Sequence, residues 1–296
     1  MHRKPLLSLC IVAFALGASC VPPLESDDRF VRFDAEETVM GEIQDAGELV
    51  VGIEERAAPY GEQGKDLEAI GFTTDVAGWL ADELRVDVRY VFGEGAELFD
   101  LIDGDDPEAD IIFPLVPITE KLVRQHAGVT DPIYIAHQRL LVARGSSVES
   151  VEDLEGKDVC AVVEPETGAN LDALQPLARV TGGDAQDCIR RIEGGRVDSV
   201  EVITGPDVVL AHIIERSRAD LEMTGGQLNT EAYGGVVPAG ASGWQDYADK
   251  VLFEAEDEGR WLRSYEKWFA DVVSPPMQAP PDLTVEEAAA LYPSDV

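Results

Sequence analysis

Short β-like runs and amphipathic helical stretches alternate along most of this chain, and that alternation allows few folds other than a layered α/β one. Residues 48–53 read as a buried strand. Residues 75–84 carry Val76, Leu80 and Leu84 at i, i+4 and i+8 with Trp79 beside them, which predicts a helix with one apolar face. Residues 86–92 and 110–113 predict two more strands, and 118–126 a short helix ended by Gly128. A second series follows, with strands at 138–143, 158–163 and 197–203, a helical turn at 151–154, and helices at 185–192 and 206–214. Pro206 suits the first turn of the last of these. The chain then predicts a strand at 234–237 and helices at 244–256 and 261–269, which Pro275 and Pro276 stop. A weak helical turn at 285–291 lies in a Pro-rich C-terminal tail, 276–296, for which a flexible extension is the plain expectation. The 296 residues can bury a sizeable core, in one large domain or two smaller ones.

The first twenty residues have the pattern of a targeting signal. His2, Arg3 and Lys4 form a basic start, and 6–16 is an apolar stretch too short to span a bilayer comfortably. It closes on Leu16-Gly17-Ala18-Ser19-Cys20, where small residues before a cysteine resemble a bacterial lipobox with Cys20 as the acylated residue. Plain signal-peptidase cleavage is the alternative. Residues 21–39, with Pro22, Pro23 and the acidic 25–28, read as a tether. The expected location is therefore extracytoplasmic, on the outer face of the cell membrane, held by the lipid alone. Cys160 and Cys188 remain in the mature domain, and an even pair in an oxidising compartment suggests one disulfide. No His or Cys cluster accompanies them to suggest a metal. The formal net charge of −35 argues against nucleic acid as a partner, because phosphates would be repelled. Three readings of the excess acid stand: solubility in a salty medium, drift in an acidic proteome, and an electrostatic funnel for a cationic ligand.

The ordered landmarks resemble the bacterial extracellular solute-binding family 3, the polar amino-acid binders, over about 46–271. Gly47-Glu-Leu-Val-Val-Gly-Ile53 is similar to the family's opening strand, and Gly71-Phe72-Thr73-Thr74-Asp75 to its Gly-Phe-Asp loop and helix. Ala109-Asp110-Ile111-Ile112, Ile118-Thr119-Glu120-Lys121 and Thr130-Asp131-Pro132-Ile133-Tyr134 follow in family order. So do Asp153-Leu154-Glu155-Gly156-Lys157, Gly194-Gly195-Arg196-Val197-Asp198, Tyr233-Gly234 and Lys267-Trp268-Phe269. The cysteine contexts Val159-Cys160-Ala161 and Asp187-Cys188-Ile189 resemble the glutamine/glutamate-binding lipoproteins of high-GC Gram-positive bacteria. The resemblance implies a two-lobed periplasmic-binding-protein-like fold of type II, its lobes joined by two crossing strands. It divides the chain into lobe 1 (40–135 plus 233–275) and lobe 2 (136–232), with hinge closure as the working motion.

A free amino acid needs a bidentate Arg and helix N-terminal N–H groups for its carboxylate, and a buried carboxylate for its ammonium. At the positions that match the family's site, this chain often departs from the pattern. Thr73 stands where the family has an Asp, Pro114, Leu115 and Pro117 at Ser/Thr positions, and Leu122 at the Arg position, with Arg124 two residues on. Thr167 and Gly168 fit the anion-binding helix start, but Glu166 before them opposes a carboxylate. Asp207 substitutes for the second family Asp only after a register shift, and Tyr60 matches the aromatic that covers the ligand. The resemblance thus implies capture of a small polar solute, an amino acid or derivative, by a monomer for delivery to an ABC transporter permease. The missing anchors keep a second reading open, a sensor or docking module with a degenerate site. A few relatives of this fold are periplasmic dehydratases, the remote third reading. No motif for a hydrolase, a zinc site or a phosphate-cradling loop is present, and no cofactor is implied.

Overall fold

Two sheets, one parallel and one mixed, each packed against helices, organise the molecule, and one antiparallel strand pair connects them. The computed structural model describes residues 31–104, 106–162, 166–194, 199–241, 243–270 and 279–291. The signal pattern with Cys20, the tether up to residue 30, Pro165, 195–198 and Pro275–Pro276 fall outside these, as does the side chain of Glu166.

The chain begins with α1 (Val39–Ala46), capped by the Thr38 hydroxyl, and β1 (Glu48–Glu54). Short strands β2 (Arg56–Ala57), β3 (Gly61–Gln63) and β4 (Ala69–Ile70) form a small meander before α2 (Phe72–Leu84). Strand β5 (Asp87–Gly93), helix α3 (Ala96–Asp100), β6 (Ile111–Phe113) and α4 (Glu120–Gln125) complete the first series. After β7 (Tyr134–Ala136) come β8 (Gln138–Ala143), a 3₁₀ turn at Val151–Leu154, β9 (Asp158–Ala161), α5 (Glu166–Leu174), β10 (Arg179–Gly182) and α6 (Ala185–Ile192). Strand β11 (Val202–Pro206), α7 (Asp207–Arg216), β12 (Leu221–Thr224) and β13 (Glu231–Tyr233) lead back to α8 (Trp244–Asp257), α9 (Arg260–Trp268) and α10 (Val285–Leu291).

In the first sheet β1 lies between β5 and β6, parallel to both. A strand flanked on both edges and covered on both faces must be apolar throughout. Leu49, Val51 and Ile53 accordingly join one core cluster with α2, α8 and α9, while Val50 joins another with Leu98, Ile112, Ile118 and Val285. The second sheet has the order β10-β9-β11-β8-β12, parallel through β11 and antiparallel beyond it. Strands β7 and β13 pair as Tyr134↔Tyr233, Ile135↔Ala232 and Ala136↔Glu231. The divisions expected at 135/136 and 232/233 fall within this pair. Among the described residues, no helix is long and apolar enough to cross a membrane.

Several boundaries differ from expectation for local reasons. Helix α2 starts at Phe72, not at residue 75, because carbonyls of Pro59 and Tyr60 accept its first N–H groups, at 2.9 and 3.0 Å. Gly71 makes that junction: its φ is 127°, and a Cβ there would lie 2.7 Å from the Tyr60 carbonyl oxygen. Among the described residues strand β11 begins at Val202, and its Val202, Ile203 and Thr204 pair with β9. Residues 234–237 form no regular strand; Val236 makes isolated bridges to Ile112 and Val129, and the paired strand β13 precedes them.

The tail departs most from expectation. Its helix α10 packs Val285, Ala288 and Ala289 into the second core cluster. The Thr284 and Glu287 side chains cap it reciprocally, and Asp131 accepts the Val285 N–H at 2.8 Å. This docking gathers carboxylates: burial, then acidic neighbours, pushes Glu256 up to about 7, and burial pushes Asp249 up to about 7 and raises Asp131. A carboxyl raised on folding binds its proton more tightly in the folded state. Its stabilising contribution is full below the ordinary carboxylate range and is lost as pH rises through about 7. The unliganded protein should therefore melt at a higher temperature at about pH 5.5 than at about pH 8. Asp249→Asn should flatten that difference, measured by scanning calorimetry across the range; an unchanged slope would contradict this account.

Candidate functional site

In open α/β sheets, ligands bind at the carboxyl ends of parallel strands, where the loops diverge and backbone groups are left unpaired. Both sheets present those ends to one cavity of about 460 Å³. From the first sheet come Glu54 at the end of β1, Glu94 and Gly95 after β5, and Leu115 and Val116 after β6. From the second come Val162 after β9, Gly183 and Asp184 after β10, and Val209, His212 and Arg216 on α7. The volume suits a small solute.

Glu54 is the most constrained of these. It is 7 % exposed, and its carboxylate accepts the Leu115 N–H at 3.0 Å and a hydrogen bond from the Gly95 backbone. Burial outweighs those two bonds and pushes its carboxyl up to about 7. Arg56 pairs with Glu94 at the rim. Arg216 reaches across the cavity to Glu62 of β3, at 3.6 Å, and so joins the two halves. Burial, with Arg216 adding to it, lowers His212 to about 4, so its imidazole is neutral at physiological pH. Ala57, Leu115, Val116, Val162 and Val209 supply apolar wall.

The wall formed by α6 is held by a disulfide. Cys160 in β9 bonds Cys188 in α6, with Cα atoms 5.7 Å apart. Gly183 packs on that bridge, where a Cβ would come 3.2 Å from the Cys160 sulfur and 2.9 Å from an Asp187 carboxylate oxygen. Asp184 caps α6 by accepting the Asp187 N–H at 2.6 Å. The bridge thus fixes Asp184, and Gln186 in the first turn of α6, at the cavity.

Of the candidate residues read from the sequence, Leu115 lines the cavity. Pro114 and Pro117 are buried beside it in the chain. Tyr60 and Thr73 lie in the core: the Thr73 hydroxyl donates to the Tyr60 carbonyl at 3.0 Å, and the Tyr60 ring packs on Tyr134 and Tyr233. The buried hydroxyls of Tyr60 and Tyr134 have no hydrogen-bond partner among the described residues. Arg124 projects from α4 with its side chain 68 % exposed and pairs with Glu120 at 3.1 Å, away from the cavity. Thr167 and Gly168 are buried in the first turn of α5, where the Thr167 carbonyl accepts from Gln138 at 3.0 Å. Asp207 is buried at the start of α7; its carboxylate accepts the Val208 N–H at 2.9 Å, and burial raises it against the pull of His137. Glu54, Arg56, Glu94, Asp184, His212 and Arg216 were missed. Glu54, Glu94 and Asp184 lie at or just beyond the ends of β1, β5 and β10, whereas Arg56 lies in β2 and His212 and Arg216 lie on α7. Among the described residues, no group of three or more His, Cys, Asp or Glu side chains is placed to hold a metal.

The model of the bacterial extracellular solute-binding proteins, family 3, matches residues 49–271. The L-cystine-binding protein TcyJ of Escherichia coli is 23% identical over 277 residues, covering 92% of this chain and 97% of that protein. The glutamine-binding protein GlnH of an ABC transporter of Bacillus subtilis is 24% identical over 242 residues, covering 80% and 87%. Among solved structures, an ancestral arginine-binding protein bound to glutamine is similar at a TM-score of 0.66 and 26% identity, over 75% of this chain and 98% of that one.

Proposed function

The chain belongs to the bacterial extracellular solute-binding proteins of family 3, and on that premise we propose that it captures a small polar solute, an amino acid or derivative, between its two lobes and delivers it to an ABC importer. The observation that carries this reading is the cavity built from the strand ends of both sheets. A solute bound there touches both halves at once, so its binding energy favours the closed arrangement over an open one. The Arg216–Glu62 pair across the cavity supports the same division of labour. The relatives' names, cystine-binding and glutamine-binding, support the solute class. We assign lobe 1 to 40–135 plus 233–275 and lobe 2 to 136–232, and contacts with the solute to Glu54, Leu115, Val116, Asp184 and Val209.

The protein works outside the cytoplasm, as a monomer anchored through a lipid on Cys20, a reading supported by the basic, apolar and small-residue pattern that ends there. Cys20→Ala should release it from the membrane fraction. Cells lacking the protein should lose high-affinity uptake of the solute it binds, read with labelled solute, and regain it when the gene is restored. Unchanged uptake, with solute binding intact, would overturn delivery and leave sensing as the role.

A further inference from the structure

The cavity wall specifies the solute more narrowly, and this inference rests on the binding role just proposed. Five carboxylates line it, those of Glu54, Glu55, Glu62, Glu94 and Asp184, against the guanidinium groups of Arg56 and Arg216. His212 adds no positive charge at neutral pH. Both guanidiniums are already engaged, Arg56 with Glu94 and Arg216 with Glu62. A solute carboxylate that drew Arg56 away would leave Glu94 uncompensated near Glu54, where the two charges already oppose each other. Two backbone donors on the cavity wall are engaged as well: the Leu115 N–H and the Gly95 backbone hold the carboxylate of Glu54.

From this geometry we propose that the solute is an organic cation, an amine or a guanidine on an apolar carbon chain, that carries no carboxylate. Glu54 is the group that receives its charge. It is buried, and among the described residues no cation forms a salt bridge with it. An ammonium or guanidinium arriving there replaces the water that burial removed and forms a charge-assisted hydrogen bond. Ala57, Leu115, Val116 and Val209 accept the carbon chain. A zwitterion brings the same cation together with a carboxylate that this wall repels.

Binding couples to the proton on Glu54. A cation favours the ionised carboxylate, so its binding displaces a proton and affinity falls as pH drops below about 7. The charged and titratable groups around Glu54 are Glu55, Arg56 and Tyr60 in its own loop, Glu94 after β5, Glu62 on β3, and Asp184, His212 and Arg216 across the cavity. His212 stays neutral until about pH 4 and does not supply this slope.

The test is isothermal titration of the purified protein with matched pairs that differ only by the carboxylate, agmatine against arginine and cadaverine against lysine. The expected result is binding of at least one decarboxylated partner about tenfold or more tighter than its amino acid. Glu54→Gln should weaken that binding by about tenfold and abolish its fall between about pH 8 and pH 6. Asp184→Asn, which keeps the cap on α6, should weaken it less and keep the fall. Tighter binding of arginine, lysine or an anionic amino acid would overturn the inference and leave solute capture standing. So would binding of the amines unaffected by either variant. Silence toward these four, with binding of a neutral solute, would overturn it in the same way. A folded protein that binds no solute of any class would overturn the capture reading itself.

Discussion

Replacing Cys160 and Cys188 together by alanine should lower the unfolding free energy by about 3–4 kcal/mol, measured by urea denaturation. The bridge spans a sequence separation of 28, and closing a loop of that length removes entropy from the unfolded chain. Both cysteines are fully buried, so the alanines lose packing as well. The functional consequence follows from position. With β9 and α6 no longer tied, the segment with Gly183, Asp184 and the first turn of α6 loses its fixed distance from Glu54, and solute affinity should fall more than it does in a variant destabilised equally elsewhere. Affinity that survives removal of the bridge unchanged would show that the α6 wall is not held by it.

Trp261→Ala should cost a similar amount or more, about 3–5 kcal/mol. The indole is 1 % exposed, stacks on Tyr265 with centroids 5.1 Å apart, and meets Phe72 edge-on at 6.3 Å. Its Nε1–H donates to the Ile133 carbonyl at 2.8 Å, directly before crossing strand β7. Truncation leaves a cavity in the largest core cluster and also strips that carbonyl of its partner. Trp261→Phe keeps most of the ring and should cost only about 1–2 kcal/mol. Phe253, 63 % exposed, is the control: its replacement by alanine should move stability by no more than about 0.5 kcal/mol. Comparable losses at Trp261 and Phe253 would refute the packing argument.

The parts of this fold that could be read from the sequence are those with a strong local period or a clear stop. Strand β8, helix α6 and the 3₁₀ turn at Val151–Leu154 run between the residues expected for them, because alternation, the Asp184 cap and the Ser150–Asp153 capping box bound them locally. Helix α5 and strands β10 and β12 carry weak periods and form because neighbouring strands pair with or pack on them. The docked tail was legible in principle, since Thr284-Val285-Glu286-Glu287 is a capping box ahead of a small apolar face. The cavity was harder. Amino-acid recognition directs attention to a helix start and an arginine, so Thr167 and Arg124 stood out. Glu54, Glu94 and Asp184 look like three more acids in a chain with 58 of them. Only the register of β1, β5 and β10 brings them to strand ends on one cavity.

The central claim is that a small solute binds in the cavity shared by the two sheets, and a thermal-shift screen of the protein beside its Gln186→Trp variant tests it most directly. Gln186 is an exposed side chain on the cavity wall, so an indole there fills the space without disturbing the core. The account predicts that at least one solute among amino acids, amines, betaines and small peptides stabilises the parent protein saturably. That stabilisation should reach about 2.7 kcal/mol at about a hundred times its Kd and be absent from the variant. No stabilisation by any solute, or equal stabilisation of both proteins, would contradict it.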